Sequence, residues 1–450
     1  MYPVIEKDRM LYFTPEGGIL FIGNLPIQHV NPTAVSIIEL CTGTHTVDEI
    51  STMLAEKYDD DVTRVKAMVC TFLEESQKRG NIALYENETH TNLTVCGNKE
   101  LWVPYYISAE LTKKCDLRCI HCYAEAGSPR INELSTERWL DILDQFYRVG
   151  TRFINVTGGD PLAHPDIYDI LEFCQNRFTV VIPTSGYRID EDMAARLAQY
   201  RNIEHIQISL DGPDPKTHNS IRGKSDSFQK AVRAITLLTE TDITVHVAMV
   251  VLPQNNHKIE ETVKLAKELG ATAFGAGRIY SLGRAKGKFY FSPRDLIALD
   301  RRVAQLSKKY SDEQFHVRGR DPHVLQTLLD VDTVSGDDIL VFGDILAKLM
   351  GGNCGAGYRS LSITAEGNVL PCGMLNIRMG EVAHTDVREV LQSPLVTAFK
   401  TLNSPNAETC GDCTNRLVCS GCHALAYMYS EHNDSCKWRK MYEECISCVE

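Results

Sequence analysis

The chain has 450 residues, 43% of them hydrophobic, enough for two or three domains with separate cores. Its formal net charge of -12 argues against a nucleic-acid partner held by a general basic surface, and no run of 18 apolar residues marks a membrane span. Charged Glu6, Lys7, Asp8 and Arg9 leave no apolar core for a signal peptide, so a cytoplasmic location is expected. In that reducing compartment sixteen cysteines point to metal rather than to a disulfide framework.

Residues 1–88 open with apolar runs at 10–13, 18–22 and 27–30, separated by Pro15-Glu16-Gly17-Gly18 and Gly23-Asn24-Leu25-Pro26, which predicts small strands joined by turns. Three helices come next. Asn31-Pro32 supplies an N-cap and a proline at the first helical position before the stripe Ala34, Ile37, Ile38, Cys41. Thr46 and Glu49 have capping-box spacing ahead of Ile50, Met53 and Leu54. A third helix runs from Val62 to about Arg79 through Val65, Val69, Phe72 and Leu73. The outline is a small winged-helix module. A polar stretch over 86–99 reads as a linker, with 89–104 separating the module from the central region.

Residues 105–345 alternate strand and helix patterns, with strands expected at 106–111, 153–157, 179–183, 205–210, 244–251 and 272–276. Trp139, Ile142, Leu143 and Phe146 mark the buried face of one intervening helix. Six such units predict an α/β fold, a partial (β/α)6 TIM-like barrel whose reactive groups lie on loops after the C-terminal strand ends. Three features fall on such loops: the segment Cys115-Asp116-Leu117-Arg118-Cys119-Ile120-His121-Cys122-Tyr123, the turn Gly158-Gly159-Asp160-Pro161, and Ser209. Three cysteines on one short loop can hold three corners of a cubane 4Fe-4S cluster and leave the fourth iron open for chemistry. Residues 346–450 are rich in cysteine and weak in periodicity, as where metal supplies much of the folding energy.

The C-x-x-x-C-x-x-C loop, Gly158-Gly159-Asp160, Ile208-Ser209-Leu210-Asp211-Gly212 and Ile221-Arg222-Gly223 together resemble the radical S-adenosylmethionine (radical SAM) enzymes. The resemblance implies that Cys115, Cys119 and Cys122 ligate a 4Fe-4S cluster whose open iron binds S-adenosylmethionine, and that reductive cleavage yields a 5'-deoxyadenosyl radical. It further implies that His121 packs on the adenine and that Gly158, Gly159 and Asp160 hold the amino group. Ser209 would contact the ribose, and Arg222 the carboxylate. Asp160 stands where the family usually has Glu, a shorter variant.

The C-terminal order Cys354, Gly367, Cys372, Cys410-x-x-Cys413, Cys419-x-x-Cys422, Cys436 resembles the SPASM extension of these enzymes, although three residues are common where two separate Cys419 from Cys422. It implies two auxiliary 4Fe-4S clusters, one on Cys354, Cys372 and Cys422, the other on Cys410, Cys413, Cys419 and Cys436. The first has three ligands unless Cys445 or Cys448 reaches back. An open iron there would bind and deprotonate a substrate thiol. The N-terminal module resembles the leader-recognition element related to the pyrroloquinoline quinone chaperone, which captures a peptide as an added strand on a sheet edge. That edge is expected at 27–30, beside the helix at 65–72. The rival, a DNA-binding winged helix, is opposed by 14 acidic against 7 basic residues in positions 1–95.

The three regions together, with Asn353-Cys354-Gly355-Ala356-Gly357-Tyr358, resemble the sactipeptide maturases of subtilosin type. The implied reaction removes hydrogen from a residue of a ribosomal precursor peptide and joins a cysteine sulfur of its core to that carbon, with a flavodoxin or ferredoxin as electron donor. Hydrogen abstraction requires no acid–base pair, so no catalytic His or Glu is named. Carbon–carbon crosslinking, epimerisation and formylglycine-type oxidation share every S-adenosylmethionine motif and stay open, as does a non-enzymatic zinc-holding peptide scaffold. Cys41, Cys70, Cys96 and Cys174 read as ordinary small residues.

Overall fold

A computed structural model of the chain describes residues 1–23, 25–289, 291–318, 353–411, 413, 415, 419, 422–430 and 435–447. The expected 345/346 boundary and Cys448 lie outside the described residues. The chain divides into two compact units, Met1–Tyr105 with Arg148–Arg152, and Tyr106–Tyr147 with Phe153–Glu450.

In the first unit, strands β1 (Tyr2–Ile5), β2 (Arg9–Thr14), β3 (Gly17–Ile22) and β4 (Leu25–Val30) precede helices α1 (Pro32–Leu40), α2 (Val47–Tyr58) and α3 (Val62–Lys78), then β5 (Ile82–Tyr85) and β6 (Thr94–Gly97). The helices start where local chemistry satisfies their first N–H groups. Asn31 accepts from the Ala34 N–H at 2.8 Å, Thr46 and Glu49 close a reciprocal capping box, and Asp61 accepts from Thr63 and Arg64. Their apolar faces, including Ile37, Ile50, Leu54, Val69 and Leu73, meet in one core with Ile82. Two features depart from the sequence reading. β1 pairs antiparallel with β5, a partner distant in sequence. Within the stretch read as linker, β6 pairs parallel with β2 and completes a four-stranded sheet of order β4-β3-β2-β6. Its ladder is made by backbone groups, so a polar sequence suffices.

The second unit keeps the expected alternation. Strands β7 (Tyr106–Glu110), β8 (Phe153–Thr157), β9 (Thr179–Thr184), β10 (Ile203–Ser209), β11 (Val245–Val251) and β12 (Ala273–Arg278) run parallel in that spatial order. Between or after them lie helices α4 (Thr136–Val149), α5 (Ile167–Cys174), α6 (Glu191–Leu197), α7 (Pro215–Arg222), α8 (Ser227–Thr239), α9 (Ile259–Glu268) and α10 (Pro293–Tyr310). Trp139, Ile142, Leu143 and Phe146 of α4 are buried as the pattern required. β11 shows the pleat: Val245, Val247, Met249 and Val251 are buried on one face, while His246, Ala248 and Val250 on the other are half-buried. The sheet is longer than six strands. β13 (His316–Arg318) adds to β12, and from the cysteine-rich region β14 (Ser360–Ile363) adds parallel to β7, followed by β15 (Asn368–Leu370) and β16 (Gly380–Glu381). The barrel and the start of the cysteine-rich region therefore share one ten-stranded sheet.

The remaining described chain forms short helices, chiefly Pro394–Thr401, His423–Tyr429 and Lys437–Ser447, packed around Phe399, His423, Trp438 and Tyr442. Among the described residues no helix is long and apolar enough to cross a membrane.

Candidate cluster and S-adenosylmethionine site

The loop after β7 carries Cys115, Cys119 and Cys122, and it is held by backbone bonds from three directions. Cys115 N–H donates to the Gly127 carbonyl at 2.9 Å, Arg118 N–H to the Arg222 carbonyl at 3.1 Å, and Ile120 N–H to the Ile221 carbonyl at 2.9 Å. Gly223 ends α7 with φ +71°, and a Cβ on it would stand 2.6 Å from the Arg118 carbonyl oxygen. The Ile-Arg-Gly motif is thus where the end of α7 meets the cysteine loop. The turn after β8 does the same from the other side. Gly159 N–H donates to the Thr112 carbonyl at 2.6 Å and Asp160 N–H to the Lys114 carbonyl at 2.8 Å. A Cβ on Gly158 would come within 2.6 Å of the Thr112 oxygen, and one on Gly159 within 2.5 Å of the Lys113 and Lys114 oxygens.

Burial pushes the Cys115 thiol up to about 12, with the charges of Asp160, Cys119 and Cys122 adding to it. Burial also raises Cys119, against the lowering influence of Arg222. Three thiols crowded on one loop, that of Cys119 buried and those of Cys115 and Cys122 half-buried, are the donor type that an iron-sulfur cluster binds as thiolates.

The side chains of the other motif residues have specific partners. The Asp160 carboxylate, 2% exposed, accepts from the Thr184 hydroxyl at 2.9 Å and from the Ser185 N–H at 3.0 Å and its hydroxyl at 2.5 Å. It therefore ties the turn after β8 to the end of β9. Arg222 is ion-paired with Asp211 at 2.7 Å, and its Nη1 lies 3.8 Å from the Cys119 sulfur. Asp211 is fully buried just beyond β10. Burial pushes its carboxyl up, but Arg222, His121 and His218 outweigh this and hold it below the usual carboxylate range. His121 lies 3.8 Å from Asp211, and burial lowers it to about 4, so the imidazole is neutral at pH 7; its buried Nδ1 has no hydrogen-bond partner among the described residues. His218 Nδ1 accepts from the Asp211 N–H at 3.1 Å. Ser209 is half-buried at the end of β10. Thr184, Ser185 and His218 were not singled out from the sequence, and Asp211 was quoted there only within a motif; for Thr184, Ser185 and Asp211 a position at or just after a strand end is the one signal that pointed to them. Tyr123, next to Cys122, is another such residue, its ring 3.7 Å from where a Cβ on Gly373 would stand.

In the cysteine-rich region, Cys354, Cys372 and Cys422 form one group. Burial pushes Cys372 up to about 12, and the nearby Cys422 and Cys354 add to it. Cys354 is also raised by burial, against hydrogen bonds from the Ala356 and His423 backbone and the Ser404 hydroxyl. Cys410, Cys413, Cys419 and Cys436 form a second group that lines one cavity with Tyr429 and Trp438. Cys422 and Cys436 accept at sulfur from Leu425 N–H (3.5 Å) and Arg439 N–H (3.4 Å) in the first turns of their helices. Cys445 turns its thiol to the Ala398 carbonyl at 3.4 Å. No disulfide joins any of the fifteen described cysteines.

Three family models match the chain: the radical SAM superfamily over residues 109–266, coenzyme PQQ synthesis protein D over 19–82, and an iron-sulfur cluster-binding SPASM domain over 354–414. Residues 109–266 form a radical SAM domain. It is similar to the antilisterial bacteriocin subtilosin biosynthesis protein AlbA of Bacillus subtilis, 26% identical over 98% of this chain and 96% of that one. The sporulation killing factor maturation protein SkfB of the same organism is 26% identical over 66% of this chain and 67% of its own length. Streptococcus suis SuiB, solved bound to its precursor peptide SuiA, shares the fold with a TM-score of 0.64 at 18% identity, covering 94% of this chain and 96% of that one. This radical SAM chain binds S-adenosylmethionine and a 4Fe-4S cluster, and its SPASM domain binds auxiliary clusters. In number, the three groups of cysteines match these cofactors.

Proposed function

We propose that this radical SAM protein matures a ribosomally made peptide by forming thioether bridges from cysteine sulfur to carbon. The observation that carries the reading is the division of the C-terminal cysteines among the described residues: four line one cavity, while Cys354, Cys372 and Cys422 form a group of three. Three ligands leave one iron of a cubane for a substrate thiolate. When bound, the cluster on Cys115, Cys119 and Cys122 supplies with S-adenosylmethionine a hydrogen-abstracting 5'-deoxyadenosyl radical, and the auxiliary clusters supply a thiolate site and an electron sink. The bonds balance: peptide C–H and S–H are lost and C–S is formed. The carbon's hydrogen atom goes to 5'-deoxyadenosine, the thiol proton to solvent, and one electron is left to be removed.

The chain's own residues hold this arrangement. Asp160 with Thr184 and Ser185, and Asp211 with Arg222, fix the cysteine loop against β8 to β10. His121, neutral and buried, offers an aromatic face for adenine, and Ser209 a hydroxyl for ribose. The leader of the precursor is assigned to the β4 edge, beside α3, where Leu25, Ile27 and His29 are exposed in alternation and a peptide strand would complete the ladder. The relatives named for subtilosin biosynthesis and killing-factor maturation support a peptide substrate. A flavodoxin or ferredoxin as donor, and a reducing cytoplasm as location, suit a chain whose described cysteines form no disulfide.

The test is mass spectrometry of anaerobically reconstituted enzyme with S-adenosylmethionine, reductant and a candidate cysteine-containing precursor. A peptide lighter by two hydrogens per bridge, resistant to thiol alkylation and formed with 5'-deoxyadenosine, is the expected product. Deoxyadenosine with free cysteines would retain radical chemistry and sink the thioether assignment.

A further inference from the structure

Beyond β12 the chain makes a tight turn at residues 281–285 that lies against the cysteine loop. Gly283 has φ +51°, and a Cβ there would strike the carbonyl oxygens of Cys122 and Tyr123, so only glycine lets the turn come this close. Arg284 then grips the loop at three points. Its N–H donates to the Cys122 carbonyl at 3.0 Å, Nε to the Cys119 carbonyl at 2.8 Å, and Nη1 to the Ala126 carbonyl at 2.8 Å. Two of these carbonyls belong to cysteines of the motif itself.

Arg284 and Arg222 approach the same loop but differ electrically. Arg222 is neutralised by Asp211 at 2.7 Å. Among the described residues the hydrogen-bond partners of the Arg284 guanidinium are neutral carbonyl oxygens, which orient it without cancelling its charge. A cubane on three thiolates is anionic, and reduction adds one more negative charge. A cation held next to it favours the reduced form.

We propose that Arg284 is a positioning residue with an electrical role: it clamps the loop of Cys115, Cys119 and Cys122, and its charge, paired with no carboxylate among the described residues, favours reduction of the cluster there. The proposal rests on those three cysteines being the ligands. It is tested on full-length protein, reconstituted anaerobically, in the variants Arg284→Gln and Arg284→Lys. Iron per chain is measured beside the midpoint potential of the cluster whose paramagnetic signal responds to S-adenosylmethionine. The expected result is wild-type iron content in Arg284→Gln with the midpoint shifted to more negative potential, and return toward wild type in Arg284→Lys, which keeps the charge without the fork. An unchanged midpoint in Arg284→Gln overturns the proposal. So does loss of the responsive cluster from both variants with auxiliary iron retained, because it leaves a clamp and no electrical role. In Cys115→Ala the responsive signal disappears; its persistence would overturn the ligand assignment and the proposal together, whereas the Arg284 outcomes leave that assignment standing.

Discussion

The two cysteine-bearing regions of the second unit solve one problem by opposite means. The loop from Cys115 to Cys122 takes all its thiols from one short segment and borrows its rigidity from α7, the turn after β8 and the turn at Gly283-Arg284. The region from Cys354 to Cys436 collects its thiols from separated turns and short helices around a small aromatic cluster. In the first the protein frames the cysteines; in the second the expectation is that bound metal frames the protein.

The largest separation of the two comes from ligand removal. Cys115→Ala is expected to abolish 5'-deoxyadenosine formation, whereas Cys372→Ala should retain deoxyadenosine and lose the thioether, both read by mass spectrometry; equal loss from both would erase the distinction. Chelation of iron sharpens it on the side of folding. Hydrogen exchange should then rise selectively over 353–447 while β8 to β11 stay protected, and uniform loss would contradict the contrast.

Beneath the cysteine loop, Asp211→Asn leaves the buried Arg222 without its counter-ion and should cost roughly 3–5 kcal/mol of stability in thermal or denaturant unfolding. His218 gives a pH signature in the same place. Burial, then the Arg222 charge, lower it to about 4, so the unfolded chain binds more protons than the native one between that value and the ordinary histidine range. Stability is full above about pH 6.5 and falls as pH drops toward 4, by roughly 3 kcal/mol from this group. In His218→Asn the slope should flatten. The smallest effect is at the edge of the cysteine-rich region: Cys445→Ser should leave iron content unchanged and stability within about 0.5 kcal/mol, and loss of iron would make it a ligand.

Much of the molecule was legible in the sequence because its signals are local. Asn31 and Thr46 cap the helices they precede, the six barrel strands lie where the alternation predicts, and the three cysteines of the loop announce themselves by spacing alone. The residues that work through distant partners were not. Thr184 and Ser185 matter because Asp160 reaches them from the end of the neighbouring strand, and Arg284 because a turn more than 150 residues away lies on Cys119 and Cys122.

By itself, then, the sequence determined the capped helices, the parallel alternation and the cysteine inventory, all set by interactions between neighbours in the chain. Only the tertiary structure decided that β6 joins the β2 edge from within a polar stretch, that β14 extends the barrel sheet beyond β7, and that Arg222 is neutralised while Arg284 is bound to neutral carbonyls. Backbone ladders carry no side-chain signature, and the partner of a buried charge is whichever group the fold brings within a few ångströms of it.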